Sequence, residues 1–304
     1  MTSQVVALGY QPNWVEVLNS PFMRNALIGG TIVALAAGLI GFFVVVRGHA
    51  FAAHALAHIG FPGATGAALL GFPVTYGLGV FCIGGALVIG VLGRRLVDRD
   101  VATGTVLALA MGLGLFLNSL ATKRTNIMTN VLFGNLLAIS ANQLLTFAGL
   151  LALIVLSVAI AYRPLLYSSV NAQVAEARGV PVRALAILFM VLLGLAVTMA
   201  VQVVGTLLLF ALVVTPAATA IIVTARPGRA ILISSVISVL AVWVGLVVSA
   251  MFDLPPSFVV VTIACGVWLL VWAVGNIVRP KPRVRPSAHA THGSQRSSRG
   301  VQTS

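Results

Sequence analysis

Apolar runs of about twenty residues recur along almost the entire chain, near 22–46, 51–71, 74–92, 101–121, 142–162, 183–201, 204–225, 230–252 and 257–278. A bilayer core about 30 Å thick is crossed by roughly 20 residues at a rise of about 1.5 Å each, so every run is long enough to span it. A single span in hydrocarbon satisfies its backbone groups internally only as a helix, and long unbroken runs contradict the alternation of a transmembrane barrel. The fold class expected is therefore all-α: a polytopic transmembrane helical bundle of about nine spans. Eight are possible, because only Gln202 and its neighbours separate the sixth run from the seventh. Composition agrees, since 60% of the 304 residues are hydrophobic and 8% charged, against about a quarter charged in a soluble domain. No stretch is left for a sizeable soluble domain.

The formal net charge of +13 does not point to nucleic acid, because Arg and Lys sit at the ends of the runs and in the tail, with no interleaved basic and aromatic face. They report orientation instead. With the N-terminus outside and nine spans, Arg47, Arg94, Arg95, Arg99, Arg163, Arg178, Arg183, Arg226, Arg229 and the whole tail are cytoplasmic, and only Arg24, Lys123 and Arg124 fall outside. The expected orientation is N-out and C-in, in the plasma or inner membrane of a prokaryote. Residues 1–278 form the membrane domain, and the Pro-, Ser- and Arg-rich segment 279–304 reads as a basic, disordered cytoplasmic tail. His289 and His292 in that tail are a weak alternative for metal capture. Cys82 and Cys265 lie inside apolar runs without CxxC spacing and read as buried small hydrophobes. The first twenty residues lack the pattern of a cleaved signal peptide.

The stretch most able to carry chemistry is HALAHIGFPG, residues 54–63. On a helix His54 and His58 stand one turn apart on one face, so both imidazoles can reach one ion, and imidazole suits zinc, copper, nickel and iron. A helix starting directly after Arg47 puts His54 about 10 Å and His58 about 16 Å into the bilayer, near its midplane. Ionisable residues at such depth face a bundle interior or a pathway; the alternative is neutral hydrogen bonding between helices. His49, beside Arg47, reads as interfacial. The linker from Arg163 to Arg183 holds a short helix-compatible run with Glu176 and Arg178, ended by Gly179 and Pro181. It is either a docking element for a soluble partner or a solvated connector. Pro216 lies deep within a span, where it interrupts the hydrogen-bond ladder. The chain has no GxxxxGK[ST] loop to bind ATP and no carboxylate inside a span for an ion-coupled relay. The energy source is expected in a partner.

Taken together, FMRNAL at 22–27, GLIGFFVVVRGHAF at 38–51, ALAHIGFPG at 55–63, GTVLALAMGLGLFL at 104–117, VLFGNLLAIS at 131–140, AEARGVPVRAL at 175–185, VVGTLLLFALVVTPAATA at 203–220 and DLPPS at 253–257 resemble the zinc, manganese and iron permease family of ABC importers. The likeness runs from about Phe22 to Trp272. It implies a non-catalytic permease that pairs with a second copy, is driven by two cytoplasmic ATP-binding-cassette subunits and receives metal from an extracytoplasmic binding protein. It implies that the linker at Glu176, Arg178 and Gly179 contacts the ATPase. It also implies that the second span lines the metal route with an Asp and a His four residues apart. His58 matches that His; His54 stands in place of the Asp, Ala57 in place of a Ser, and Asn171 near where the family often carries an Asp. Imidazole in place of a carboxylate removes a hard oxygen ligand, so the expected cargo is zinc in preference to manganese, with no permanently bound cofactor. The alternatives are a permease of the siderophore and cobalamin type, or a secondary carrier not coupled to ATP.

Overall fold

The computed structural model describes residues 14–93, 96–120, 126–206 and 208–278. Among these residues the architecture is wholly helical. Short α1 (Trp14–Asn19) precedes α2 (Pro21–Val46), which opens on Pro21, where the missing N–H costs nothing. α3 (Ala50–Leu70) and α4 (Val74–Leu92) follow, joined by a turn through Gly71 and Pro73, and then α5 (Leu96–Leu120) and the short α6 (Asn126–Phe133). A 3-10 turn at Leu136–Ala138 leads to α7 (Ala141–Val170), whose start is fixed by a capping box: the Ser140 hydroxyl accepts from Gln143 N, and the Gln143 side chain accepts from Ser140 N. After α8 (Ala172–Ala177) come α9 (Val182–Val204), α10 (Leu209–Val213), α11 (Thr215–Val223), α12 (Pro227–Phe252) and α13 (Pro256–Val278).

Seven helices among the described residues are long and apolar enough to cross a membrane: α2, α4, α5, α7, α9, α12 and α13. α3 is long enough but is built largely of Ala, Gly and His. It tolerates that composition because α4, α5, α6, α9 and α10 enclose it, and small residues are what close helix packing in a membrane requires. The run at 204–225 is not one helix. It divides at Val214 into α10 and α11, and Pro216 stands in the first turn of α11, where its missing N–H is tolerated. The linker also begins later than the sequence reading places it. α7 continues through Pro164 to Val170, and the Ser168 and Ser169 hydroxyls donate to Leu165 O at 3.0 and 2.6 Å, so the turn beyond the proline is held by side chains as well as backbone.

The bundle is densest around α2, α3 and α9, where Phe43, Leu56, Phe189 and Met190 are fully buried. Outward faces of the surrounding helices carry Leu109, Phe116, Leu145, Ile160 and Leu270, all widely exposed. Apolar side chains exposed on this scale fit a lipid environment and not water. α3 and α4 cross at Gly63 and Gly77, where a Cβ on either residue would lie inside van der Waals contact of the other's carbonyl oxygen. This crossing seats α3 against the bundle.

The two ends of the bundle differ in chemistry. At one end Arg47, after α2, bonds the last turns of α7, and Gly228, at the start of α12, lies near the Tyr162 hydroxyl. The exposed Arg163, Arg178, Arg183, Arg226 and Arg229 belong to the same chain segments. At the opposite end the start of α4, the end of α9 and the start of α7 meet through neutral groups. Thr75 Oγ1 donates to Gln202 Oε1 at 2.6 Å, Gln143 Nε2 donates to the same oxygen at 3.4 Å, and Asn135 N donates to Gln202 O at 3.1 Å. Arg94, Arg95, Lys123, Arg124 and the tail with His289 and His292 lie outside the described residues.

Candidate functional site

The structure brings His54 and His58 together on α3. Their ring centroids are 4.8 Å apart at a steep angle, and the His54 ring also meets Phe210 of α10 edge-on at 6.5 Å. Both imidazoles are half-buried, whereas their neighbours Ala53, Ala55, Leu56, Ala57 and Ile59 are buried. The face that carries the pair is thus the face of α3 left least covered by its own chain. Two ring nitrogens bound to one ion at about 2.0–2.1 Å each stand roughly 3.4 Å apart in a tetrahedral site, a spacing that rings this close reach by rotamer adjustment. No third His, Cys, Asp or Glu joins them among the described residues. The described residues thus offer one ion two imidazole ligands here.

Helical phase sets their depth, with one adjustment. α3 begins at Ala50 and not directly after Arg47, because Gly48 takes a positive φ of 65° and interrupts the chain. From Ala50 the rise is about 6 Å to His54 and about 12 Å to His58. His58 therefore lies close to the middle of a helix that runs to Leu70.

The linker forms α8. Asn171 is its N-cap, its side-chain oxygen accepting from Val174 N at 3.1 Å, a role in which Asn serves as well as Asp. Gly179, at φ 78°, closes the helix in the left-handed conformation that glycine adopts without cost, and Val180 N donates back to Ala175 O at 3.0 Å. Glu176, Arg178 and Gly179 are all exposed, and the Arg178 guanidinium lies 5.6 Å from the Tyr167 ring centroid, tying the end of α8 to α7. Cys82 is buried and free, its thiol pointing at Leu56 O at 3.4 Å; Cys265 is free but only half-buried, which corrects its reading as a core residue.

Sequence reasoning missed the surroundings of Arg47. Its Nε donates to Ser169 Oγ at 2.7 Å, and its Nη2 donates to Ser168 Oγ at 2.6 Å and Leu165 O at 2.9 Å. The guanidinium carbon sits 5.0 Å from the Phe189 ring centroid, and burial pushes the Arg47 pKa down to about 10. The His49 ring meets the same phenyl edge-on at 5.3 Å. A lone arginine after an apolar run gives no sign of acceptors some 120 residues away.

The model of the ABC 3 transport family matches residues 19–275. The chain belongs to this family. The ABC-3 landmarks read from the sequence thus mark a metal permease family of ABC importers, and the chain is a multi-pass membrane protein. The manganese transport system membrane protein MntC of Listeria innocua is 32% identical over 252 residues, covering 83% of this chain and 90% of that protein. The manganese import system permease protein ScaB of Streptococcus gordonii is 31% identical over 264 residues, covering 86% and 93%. Among solved structures, PsaBC from Streptococcus pneumoniae in complex with Fab matches with a TM-score of 0.77 and 31% identity, covering 90% of this chain and 97% of that one. A metal-chelate type ABC transporter in an inward-facing conformation shares the fold, with a TM-score of 0.63 at 21% identity.

Proposed function

We propose that this ABC-3 chain is the membrane-spanning subunit of an importer for a divalent first-row transition metal, and that His54 and His58 are the groups that hand the ion through the bilayer. The observation that carries the reading is the imidazole pair, 4.8 Å apart and half-buried near the middle of the helix that the rest of the bundle encloses. A two-nitrogen half-site fits a permease that pairs with a second copy: two copies facing across the pathway supply up to four nitrogens, and water can complete the set. The chain crosses the membrane nine times, by the seven long helices, α3 and the broken α10–α11 segment, with its N-terminus outside. The arginine-bearing end is then cytoplasmic, as basic residues prefer. There α8, with Glu176, Arg178 and Gly179, docks a separate ATP-hydrolysing subunit, and an extracytoplasmic binding protein delivers ions to the opposite end. Pro216 keeps α10 and α11 separate beside the histidine face.

The expected cargo is manganese. Relatives named for manganese transport cover most of this chain at about 30% identity, and this displaces the expectation of zinc drawn from His54. Zinc is kept as the second reading by one feature, the all-nitrogen donor pair, since imidazole without carboxylate favours zinc over manganese. Family membership sets aside the ATP-independent carrier.

The test is replacement of both histidines by Ala in the complex with its ATPase. Uptake of Mn²⁺ into vesicles is expected to fall to background while co-purification of the ATPase persists. Unaltered uptake overturns the pathway assignment. In wild type, competition by free Zn²⁺ stronger than by Mn²⁺ transfers the cargo to zinc, and competition only by a metal chelate points to the siderophore type.

A further inference from the structure

Between the linker helix and the histidine helix the contacts are continuous. Arg178, at the end of α8, lies against Tyr167 of α7. One face of the same final turns of α7 presents Leu165 O, Ser168 Oγ and Ser169 Oγ, and all three accept from the Arg47 guanidinium. Arg47 caps the end of α2, its carbonyl faces His49 Nδ1 at 3.0 Å, and His49 is the N-cap residue of α3. Four residues beyond the first residue of α3 stands His54.

We propose that Arg47 is a positioning residue that couples the nucleotide-driven movement of α7 and α8 to the helix carrying the metal ligands. The inference rests on the proposed function, since it needs an ATPase acting on α8. Three features argue for it. First, the guanidinium is a planar fork whose Nε and Nη2 reach two hydroxyls and a carbonyl together, so it fixes the orientation of α7 relative to the α2–α3 turn as a point charge cannot. Second, the acceptors are neutral. An ion pair would lock a charge beside a carboxylate, whereas hydroxyls can exchange partners as the helices shift, at modest cost per bond. Third, the guanidinium and the His49 ring both rest on Phe189 of α9, at 5.0 and 5.3 Å. That ring is fully buried, and it gives the turn a fixed bearing while α7 moves.

The experiment compares wild type, Arg47→Met and the double variant Ser168→Ala with Ser169→Ala, each as the full complex with its ATPase in proteoliposomes, reading ATP hydrolysed and Mn²⁺ moved in the same sample. Methionine keeps an apolar stem over Phe189 and removes the donors; the double variant keeps the charge and removes two acceptors. Ions moved per ATP are expected to fall about tenfold in Arg47→Met, a typical size for a lost coupling, and by a smaller factor in the double variant, with the concentration for half-maximal uptake unchanged. A structural role alone would lower the yield of complex and scale both activities together, leaving that ratio untouched; an unchanged ratio in both variants overturns the proposal. If Arg47→Met does not assemble, the double variant decides on the same criterion. Wild type that moves neither Mn²⁺ nor Zn²⁺ with ATP would instead refute the proposed function, and if it moves only Zn²⁺ the same ratio is read with Zn²⁺.

Discussion

His54 and His58 were legible in the sequence because i, i+4 spacing on a helix needs no tertiary knowledge. Their consequence for selectivity is open to a direct experiment at the residue scale. Changing His54→Asp restores an oxygen ligand beside His58, giving a mixed set that suits a harder ion. The expected outcome is retained Mn²⁺ uptake with inhibition by Zn²⁺ weakened about tenfold relative to wild type, roughly 1.4 kcal/mol of preference. His58→Ala, by contrast, leaves one imidazole per chain and should reduce uptake of both ions to near background. Equal sensitivity to Zn²⁺ in wild type and His54→Asp would remove His54 from the selectivity step. Arg47 shows what one-dimensional reading cannot recover. Its charge was visible as an orientation marker, but its role depends on Ser168, Ser169 and Phe189, which only folding brings to it.

At the scale of elements, hydropathy locates the runs well because a bilayer imposes length and polarity on each crossing independently of its neighbours. The observed α2, α4, α9 and α13 lie within a few residues of the runs read from the sequence. The departures have local causes. Pro164 falls in the stretch read as linker, yet α7 passes through it to Val170, and the Ser168 and Ser169 hydroxyls reinforce the turn that follows. The run at 204–225 looks continuous because polarity does not report where a ladder breaks, and the break at Val214 comes from backbone chemistry. α6 was not anticipated, being too short to register as a span. The α3–α4 crossing yields the prediction for this scale. Gly77→Ala drives a methyl group into Gly63 O and Ala67, and is expected to cost about 1–3 kcal/mol. Thermal unfolding in detergent should show a lowered midpoint, whereas Val80→Leu, at an exposed position on the same helix, should not. A Gly77→Ala midpoint equal to wild type would mean that α3 and α4 do not cross this closely.

For the whole molecule, the proposed docking of α8 and the proposed route of metal past the histidine helix both depend on which end of the bundle faces the cytoplasm. The asymmetry is chemical: exposed Arg163 near the end of α7, Arg178 after α8 and Arg226 after α11 gather at one end, while at the other, where Arg24 is the exposed arginine among the described residues of α2, Thr75, Gln143 and Gln202 meet through neutral hydrogen bonds. Basic residues resist translocation, so the arginine end is expected inside. α12 gives a clean test, because it is a single apolar helix with Arg226 exposed just before it and Asp253 exposed just after it. A cysteine at Asp253 should react with a membrane-impermeant thiol reagent added to intact cells; one at Arg226 should react only after the membrane is opened. Both are made with Cys82 and Cys265 replaced by Ala, so that neither native thiol contributes signal. Reversed labelling would place the linker helix outside, where no ATPase can reach it. Labelling of both positions from outside would mean that α12 does not cross, removing one crossing from the nine. Only the expected pattern leaves α8 and the Arg47 contacts on the cytoplasmic side, as the proposed ATPase docking requires, with the histidine pair between that side and the end at which metal is proposed to arrive.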